Sequence, residues 1–453
     1  MSRTLIRPPA GDLTEIRCSV ADAMVANLAV NIVFFFDRQL DADSLAAALS
    51  RTLQAFPLFA GRMAPNYGRM RIRCGAQGVP FSSVISRRSL SDAVRSVNQD
   101  RGGWLLDPVN AITARWGRGP LCTVRITHFD DGATAIGFSW HHVLGDMQTA
   151  MLFMNAWSAA AAGEPIAEPL IVEDRAAYLA DHLPSDGAHL PGVRCLSLPE
   201  TASSLWYLAK HARKQRVVKV RFDDDEIACM RDNYGTRMRL SRNDVVCAHM
   251  ADAIVRADSG VDSRTMAIAV NARTRLGLDP TLLGNIITTL NIPIRRGDAA
   301  GVIAERVRDG VDHFTDRHSD MLINQKFFDA LGPLGAGRCV SVAFDPARWS
   351  LLISNWSGFG VYDIRFEGTV PCHFTPVVKV PVAGLGALVE GPGGRGLLFQ
   401  MSLPPTEFDS ATSAAMREYI HRFRDHATMQ CCATDAQRLP GAEDFPMEVN
   451  NRR

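Results

Sequence analysis

Short apolar runs of strand type alternate along the chain with longer runs of helical apolar spacing, and this alternation limits the fold more than any other feature. Ile32-Val33-Phe34-Phe35-Phe36 is rich in aromatic and β-branched residues, which predicts a buried strand. Asp41 stands in capping position after it. Leu45, Ala48, Leu49, Thr52 and Leu53 then recur at the spacing that lays one helix face on a core. Pro57 and Gly61 close the unit. The pattern returns at Val217-Val218-Lys219-Val220-Arg221-Phe222, followed by Asp223, Asp224 and Asp225 and by Ile227 and Met230 of a further helix. Two units built as a strand and then an aspartate-capped helix predict an α/β protein, and their weak echo points to two domains of similar architecture.

Composition narrows the class. Of 453 residues, 47% are hydrophobic and 21% charged, values of a packed soluble protein that exclude disorder, collagen-like repeats and a small disulfide scaffold. Forty-nine basic against 48 acidic residues leave a formal charge of +1, which supplies no global attraction to nucleic acid or an anionic membrane. The 10 cysteines are scattered, make no CxxC pair, and only Cys431 and Cys432 stand close together. Met1 to Pro8 lacks the apolar core of a signal peptide, so reduced thiols in a cytosol-like compartment are expected. The longest apolar stretch, from Met24 to Phe36, is too short to span a bilayer and is interrupted by Asn27 and Asn31; it reads as buried structure.

From about Glu164 to Arg216 the chain carries Pro165, Pro169, Pro184, Pro191 and Pro199 and reads as a connection between halves. Its basic end, Lys210, His211, Arg213, Lys214 and Arg216, fits either a solvated helix face or a patch that steers phosphate. The cluster Gly391-Pro392-Gly393-Gly394-Arg395-Gly396 lies between two strand-like runs, Val377 to Leu388 and Leu397 to Leu403. A phosphate loop needs a following helix, so a hairpin is expected.

The stretch richest in chemistry is Ala135-Ile136-Gly137-Phe138-Ser139-Trp140-His141-His142-Val143-Leu144-Gly145-Asp146-Met147. An apolar strand ends at two histidines, a tight turn follows, and a helix opens with Met151, Leu152, Met154, Asn155 and Trp157. A neutral imidazole at a strand end can take a proton from a hydroxyl or amine near pH 7. Asp146 is placed to cap the helix and to pair with a distant arginine. Taken alone, the histidines also fit a structural, hydrogen-bonded role. A metal site on His141, His142 and Asp146 is disfavoured because adjacent strand residues point to opposite faces. A serine or cysteine hydrolase lacks its G-x-S-x-G elbow.

His142-x-x-x-Asp146 resembles the HxxxD motif of the BAHD acyltransferases, the acyl-CoA-dependent family of the chloramphenicol acetyltransferase-like superfamily. Four further segments fit in order: Phe56-Pro57-Leu58-Phe59-Ala60-Gly61-Arg62; Phe153-Met154-Asn155-Ala156-Trp157 with Gly163; Val270-Asn271-Ala272-Arg273-Thr274-Arg275-Leu276 followed by Leu283-Gly284-Asn285; and Ile353-Ser354-Asn355-Trp356. The likeness extends from about residue 19 to 408. Two departures stand out. Met147 replaces the glycine that usually follows the motif's aspartate, with consequences expected for the channel. The DFGWG signature maps onto Arg365-Phe366-Glu367-Gly368-Thr369, losing its aspartate and tryptophan, and either Asp363 or Glu367 is available to replace the carboxylate.

The resemblance implies two chloramphenicol acetyltransferase-like domains, each a mixed β-sheet flanked by helices, with a channel between them. We place them at residues 1–185 and 217–453, joined by a crossover at 186–216. It also implies that His142 acts as general base in a ternary complex, moving an acyl group from acyl-CoA to a hydroxyl or amine of a small molecule. Trp356 and Ser354 are implied as oxyanion donors, and Asp146 paired with Arg273 as the structural support of the His142 loop. His141 is expected to face away. For the phosphates of coenzyme A the candidates are Ser241 and Arg242 at a predicted helix start, the basic run from Lys210 to Arg216, and Asn285. No permanent cofactor, metal, nucleic acid or membrane partner is expected, and the protein is expected to be a cytoplasmic monomer. Two other readings stay open. Condensation domains of peptide synthetases share the superfamily, show a similar HHxxxDG pattern and use carrier-protein thioesters; a binding protein of the same fold would have lost turnover.

Overall fold

The computed structural model describes residues 2–424, apart from 10–13, 65–69, 76, 100–101, 184–191, 212–213, 236–237, 259, 315–320, 337, 342–349 and 378–381. Cys431 and Cys432 lie outside the described residues, as does Arg213 of the basic run.

Two six-stranded mixed sheets form the framework. The first runs, in spatial order, Ser2–Ile6, Val79–Ile85, Cys122–His128, Thr134–His141, Ala29–Phe36 and His373–Pro376. The second runs Arg216–Phe222, Leu397–Leu403, Leu385–Glu390, Leu351–Asn355, Ser263–Asn271 and Ile287–Arg295. Leu351–Asn355 lies parallel to both of its neighbours. The α/β architecture read from the alternation is present. The halves are also interleaved: His373–Pro376, late in the chain, pairs antiparallel with Ile32–Phe35 and becomes an edge of the first sheet.

Local signals behave as their chemistry dictates. Asp41 caps the helix Ala42–Ala55 by accepting from the amides of Asp43 and Ser44, and Leu45, Ala48, Leu49, Thr52 and Leu53 are its buried residues. Those residues meet a core of stacked aromatics, with Phe59 and Phe153 ring centroids 4.1 Å apart and Phe138 5.5 Å from Phe153. Trp157, fully buried, donates its indole N–H to the Leu45 carbonyl at 3.0 Å and so ties the helix Met147–Ala162 to Ala42–Ala55. In the second half, Asp223 caps Asp224–Tyr234, with Ile227 and Met230 buried. The helices Arg242–Ala257 and Ala300–Asp312 pack their apolar residues on the second sheet.

The crossover 186–216 contains regular structure. Val193–Cys195 pairs antiparallel with Cys339–Ser341, and Leu198–His211 is a helix. Gly391 to Gly396 closes a hairpin between Leu385–Glu390 and Leu397–Leu403, as expected in place of a phosphate loop. The strand expected from Val377 begins at Leu385, and 378–381 fall outside the described residues. Among the described residues no helix is long and apolar enough to cross a membrane.

Two core imidazoles are buried in neutral form. His249 donates Nε2–H to the Ile420 carbonyl and faces the Tyr234 hydroxyl, and burial pushes its pKa down to about 4. Burial pushes His373 down to about 3, helped by Lys219 and Arg221. Both folded values lie below the unfolded 6.5, so the unfolded chain binds more protons as pH falls through that window. Stability is therefore complete above pH 6.5 and is lost progressively below it, by on the order of 3 kcal/mol per imidazole. Thermal melts from pH 7.5 to 4.5 should show a falling midpoint. The slope should be shallower in the His249→Gln, His373→Gln double variant.

Candidate active site

The site is built where an all-buried strand must turn into a helix. Thr134–His141 is buried along its whole length, His142–Leu144 makes one 3-10 turn, and Asp146 caps Met147–Ala162 by accepting from the Thr149 amide at 3.1 Å. Gly145 permits this tight change of direction: its φ is +155°, and a Cβ there would lie 2.4 Å from the Thr149 hydroxyl. Its carbonyl accepts from the Trp140 indole at 3.0 Å.

The two histidines divide their work. His141 is fully buried; its Nδ1 accepts from the Val143 amide at 3.1 Å, which leaves Nε2–H to donate to the Ala111 carbonyl at 3.2 Å. Burial pushes its pKa down to about 4, so it stays neutral and braces the turn. His142 is half-buried. Its main chain is held at both ends, the amide donating to Leu28 O at 3.0 Å and the carbonyl accepting from Asn285 Nδ2 at 2.8 Å. Its ring Nδ1 is buried without a hydrogen-bond partner among the described residues. Burial lowers the imidazole pKa below its ordinary value, against the opposing pull of Asp146 and Asp22. The ring is thus neutral near pH 7.

Asp146 is turned to the protein, with both oxygens occupied. Arg273 Nη1 donates to Oδ2 at 2.8 Å and Nη2 to Oδ1 at 3.1 Å, and the Ile286 amide adds a bond to Oδ2 at 3.1 Å. The rest of the Arg273 fork is spent on the carbonyls of Leu282 and Gly284 and the amide oxygen of Asn271. The guanidinium is fully buried and the aspartate nearly so. The pairing that the resemblance implied is therefore present, bidentate and buried.

A second buried pair went unread in the sequence. Arg175, from the helix Arg175–His182, meets Asp22 at 3.0 Å, and the same guanidinium donates to the carbonyls of Val143 at 2.9 Å and Leu144 at 3.0 Å. Burial alone would lower the Arg175 pKa; the Asp22 carboxylate, with Cys18 and Cys74 beside it, turns the shift upward. Gly284, at φ +140°, lets the chain pass this side chain, since a Cβ would sit 3.0 Å from Arg175 Nε. Asp22 in turn accepts from Asn285 Nδ2 at 2.8 Å. Asn285 is fully buried with its amide committed to Asp22 and His142, so it positions the loop; the expected phosphate contact does not fit this placement. The signal available for Asp22 was Ser19-x-x-Asp22, which forms a capping box on Val20–Met24. Nothing local marks Arg175.

The remaining candidates sort by geometry. Ser354 and Trp356 sit at the C-terminal end of Leu351–Asn355, beside the end of the parallel strand Ser263–Asn271 from which Arg273 leaves. The Trp356 indole N–H donates to Ser354 Oγ at 2.7 Å. The indole N–H is thus spent on the hydroxyl, so the two are linked by one bond rather than standing as independent donors. Ser241 caps Arg242–Ala257 in a capping box with Asp244, and Arg242 pairs with Asp224 at 2.6 Å. In the basic run, Lys210 lies over the Trp206 ring, and Arg216 is engaged by Asp409 and the Phe408 ring. Met147 is buried in the core of the first half. Of the two carboxylates near the altered signature, Glu367 makes the contact: its Oε1 accepts from the Asp41 amide at 2.9 Å.

Replacing Arg175 by methionine leaves Asp22 buried and unpaired and should cost about 3–5 kcal/mol in urea unfolding. The Asp22→Leu, Arg175→Met double variant should cost less than the sum of the single changes.

Comparison with known proteins agrees with this geometry. A sequence profile of the transferase family matches residues 1–414. Limonoid 21-O-acetyltransferase of Melia azedarach is 25% identical over 371 residues, covering 78% of this chain and 82% of its own. Vinorine synthase of Rauvolfia serpentina is 25% identical over 446 residues, 91% of this chain and 94% of its own. The vinorine synthase crystal structure covers 90% of this chain and 95% of its own with a TM-score of 0.67 at 20% identity. The TRI101 structure from F. sporotrichioides, complexed with coenzyme A and T-2, gives 0.71 at 14%, covering 89% and 98%. A condensation domain of the CDA synthetase shares the fold at a TM-score of 0.58 and 14% identity, over 92% and 96%. With its motifs in order and the family profile matched over nearly all of its length, the chain belongs to the BAHD family of acyl-CoA-dependent acyltransferases.

Proposed function

We propose that this enzyme transfers an acyl group from acyl-CoA to a hydroxyl or amine of a small, specialised-metabolite acceptor, with His142 as general base. The observation that supports the reading is the His142 ring, neutral by burial, on a loop held by three side chains from other elements: Asn285 and Arg175 through its carbonyls and Arg273 through Asp146. In this scheme the acceptor proton moves to the imidazole as the acceptor attacks the thioester carbonyl. Collapse of the tetrahedral intermediate returns that proton to the departing coenzyme A sulfur. Acceptor and donor are bound together, with no acyl-enzyme. Such base assistance is worth roughly 10² to 10⁴ in rate.

The Ser354 hydroxyl is our oxyanion donor, and Trp356 fixes the hydroxyl by its own N–H. The two-domain division at 1–185 and 217–453 puts His142 in one half and Ser354, Arg273 and Asn285 in the other. That division is consistent with a channel between them. For the phosphates of coenzyme A we keep Arg242, partly exposed beside the capped helix start at Ser241, where phosphate would compete with Asp224. The amide of Ser241 is already satisfied by Asp244, so the side chain of Arg242 carries this assignment.

The test is a panel of acyl-CoAs and alcohol or amine acceptors, scored by release of free thiol. His142→Ala should lose roughly 10² to 10⁴ in kcat/KM while its circular dichroism is unchanged. Coenzyme A binding without turnover in the unaltered protein would favour a binding protein and refute the enzyme reading. Because burial lowers the His142 pKa, activity should hold as pH falls through 6.5 and decline only below it. Ser354→Ala should lower kcat about 100-fold or more with little change in KM, the mark of a group that acts only in the transition state.

A further inference from the structure

Cys195 and Cys339 lie far apart in sequence, in the two strands of the small ribbon formed by Val193–Cys195 and Cys339–Ser341, where they stand directly opposite one another. The hydrogen bonding of the ribbon identifies the kind of pair. Leu196 N–H donates to the Arg338 carbonyl at 3.0 Å, so Leu196 and Arg338 form a hydrogen-bonded pair. In an antiparallel ladder the next pair along, Cys195 and Cys339, is then of the non-hydrogen-bonded kind, with Cα atoms about 4.5 Å apart and side chains on the same face. Disulfides span Cα separations of about 4.4–6.8 Å. Both residues are partly exposed, and Cys195 acts on the Cys339 thiol through charge and a side-chain hydrogen bond.

We propose that Cys195 and Cys339 are a redox modification site that closes to a disulfide in the presence of a small-molecule disulfide such as oxidised glutathione. One thiol loses its proton and attacks the glutathione disulfide, expelling one glutathione thiolate. The second thiol loses its proton and attacks the resulting mixed disulfide, expelling the other. Two protein thiols are oxidised, one S–S bond forms, and the oxidant is reduced to two molecules of glutathione. Burial first, and Cys195 second, push the Cys339 pKa up to about 11, so the exchange is base-promoted. Cys74 also acts on the Cys18 thiol, but both are buried and serve as the internal comparison. The proposal does not depend on the transferase reading.

The ribbon borders an apolar cavity that Val193 and Ser341 share with Leu179, Ile287 and Leu352. The bond would therefore tie one wall of that cavity.

Full-length protein is incubated at pH 8 with oxidised glutathione, alkylated, digested without reduction and mapped by mass spectrometry. The expected result is a peptide pair linked through Cys195 and Cys339 as the main product, within one chain, and reversed by dithiothreitol. Cys195→Ser should give no such pair, and Cys18 and Cys74 should be recovered as thiols. Recovery of Cys195 and Cys339 from unaltered protein as separate thiols or separate glutathione adducts would overturn the proposal. So would bridging of either residue to another cysteine.

Discussion

A single carboxylate with no lone pair to spare sets the geometry of the site. Asp146 gives its two oxygens to Arg273, Thr149 and Ile286, and Arg273 spends its guanidinium on Asp146 and on carbonyls of the loop that runs from Leu282 to Gly284. Taking such a pair out of water is expensive, and the net gain over an apolar pair is small; what the pair confers is one permitted arrangement. Arg175, paired with Asp22, applies the same logic and grips Val143 and Leu144 by their carbonyl oxygens. The imidazole of His142 is thereby placed by charges that it does not itself touch. The Asp146–Arg273 bonds join the first half to the second, so that arrangement exists only when the halves are docked.

The legible parts of the sequence were those whose physics is local. Asp41, Asp223, Ser241 and Asp146 each announced a helix start because a capping side chain acts within three residues. The glycine hairpin at 391–396 was equally local. The Asp146–Arg273 pair lies 127 positions apart and was accessible only through the family likeness. Arg175 was not: it stands in a segment read as connection, and the carbonyls it holds are present on every residue, so no pattern betrays it. Asn285 was placed near phosphate when its amide is spent on Asp22 and the His142 carbonyl. Trp356 and Ser354 were expected as two oxyanion donors, and the likeness gave no sign that they are donor and acceptor of one bond.

The altered signature at Arg365 to Thr369 shows how a motif can lose its letters and keep its packing. Phe366, the retained member, is fully buried between Phe36 and Trp157. Arg365 is held through its backbone by the Ser158 hydroxyl, which bonds both its N–H and its carbonyl. Glu367 sits at φ +49°, a conformation that side chains rarely adopt, and its carboxylate receives the Asp41 amide. That bond anchors the strained residue to the start of the helix Ala42–Ala55. The segment thus docks on the first half without the aspartate or tryptophan.

The exchange of the strand His373–Pro376 into the first sheet has a consequence for how this chain can be divided. Its removal would bare the backbone amides and carbonyls of Ile32 to Phe35 along an apolar rim, a ready template for foreign strands. A fragment ending in the crossover would carry that sticky margin, and a fragment beginning there would carry an orphan ribbon with no sheet to join. Natural fission of the gene, or its recombination as two cassettes, is opposed by this small piece of trespassing chain.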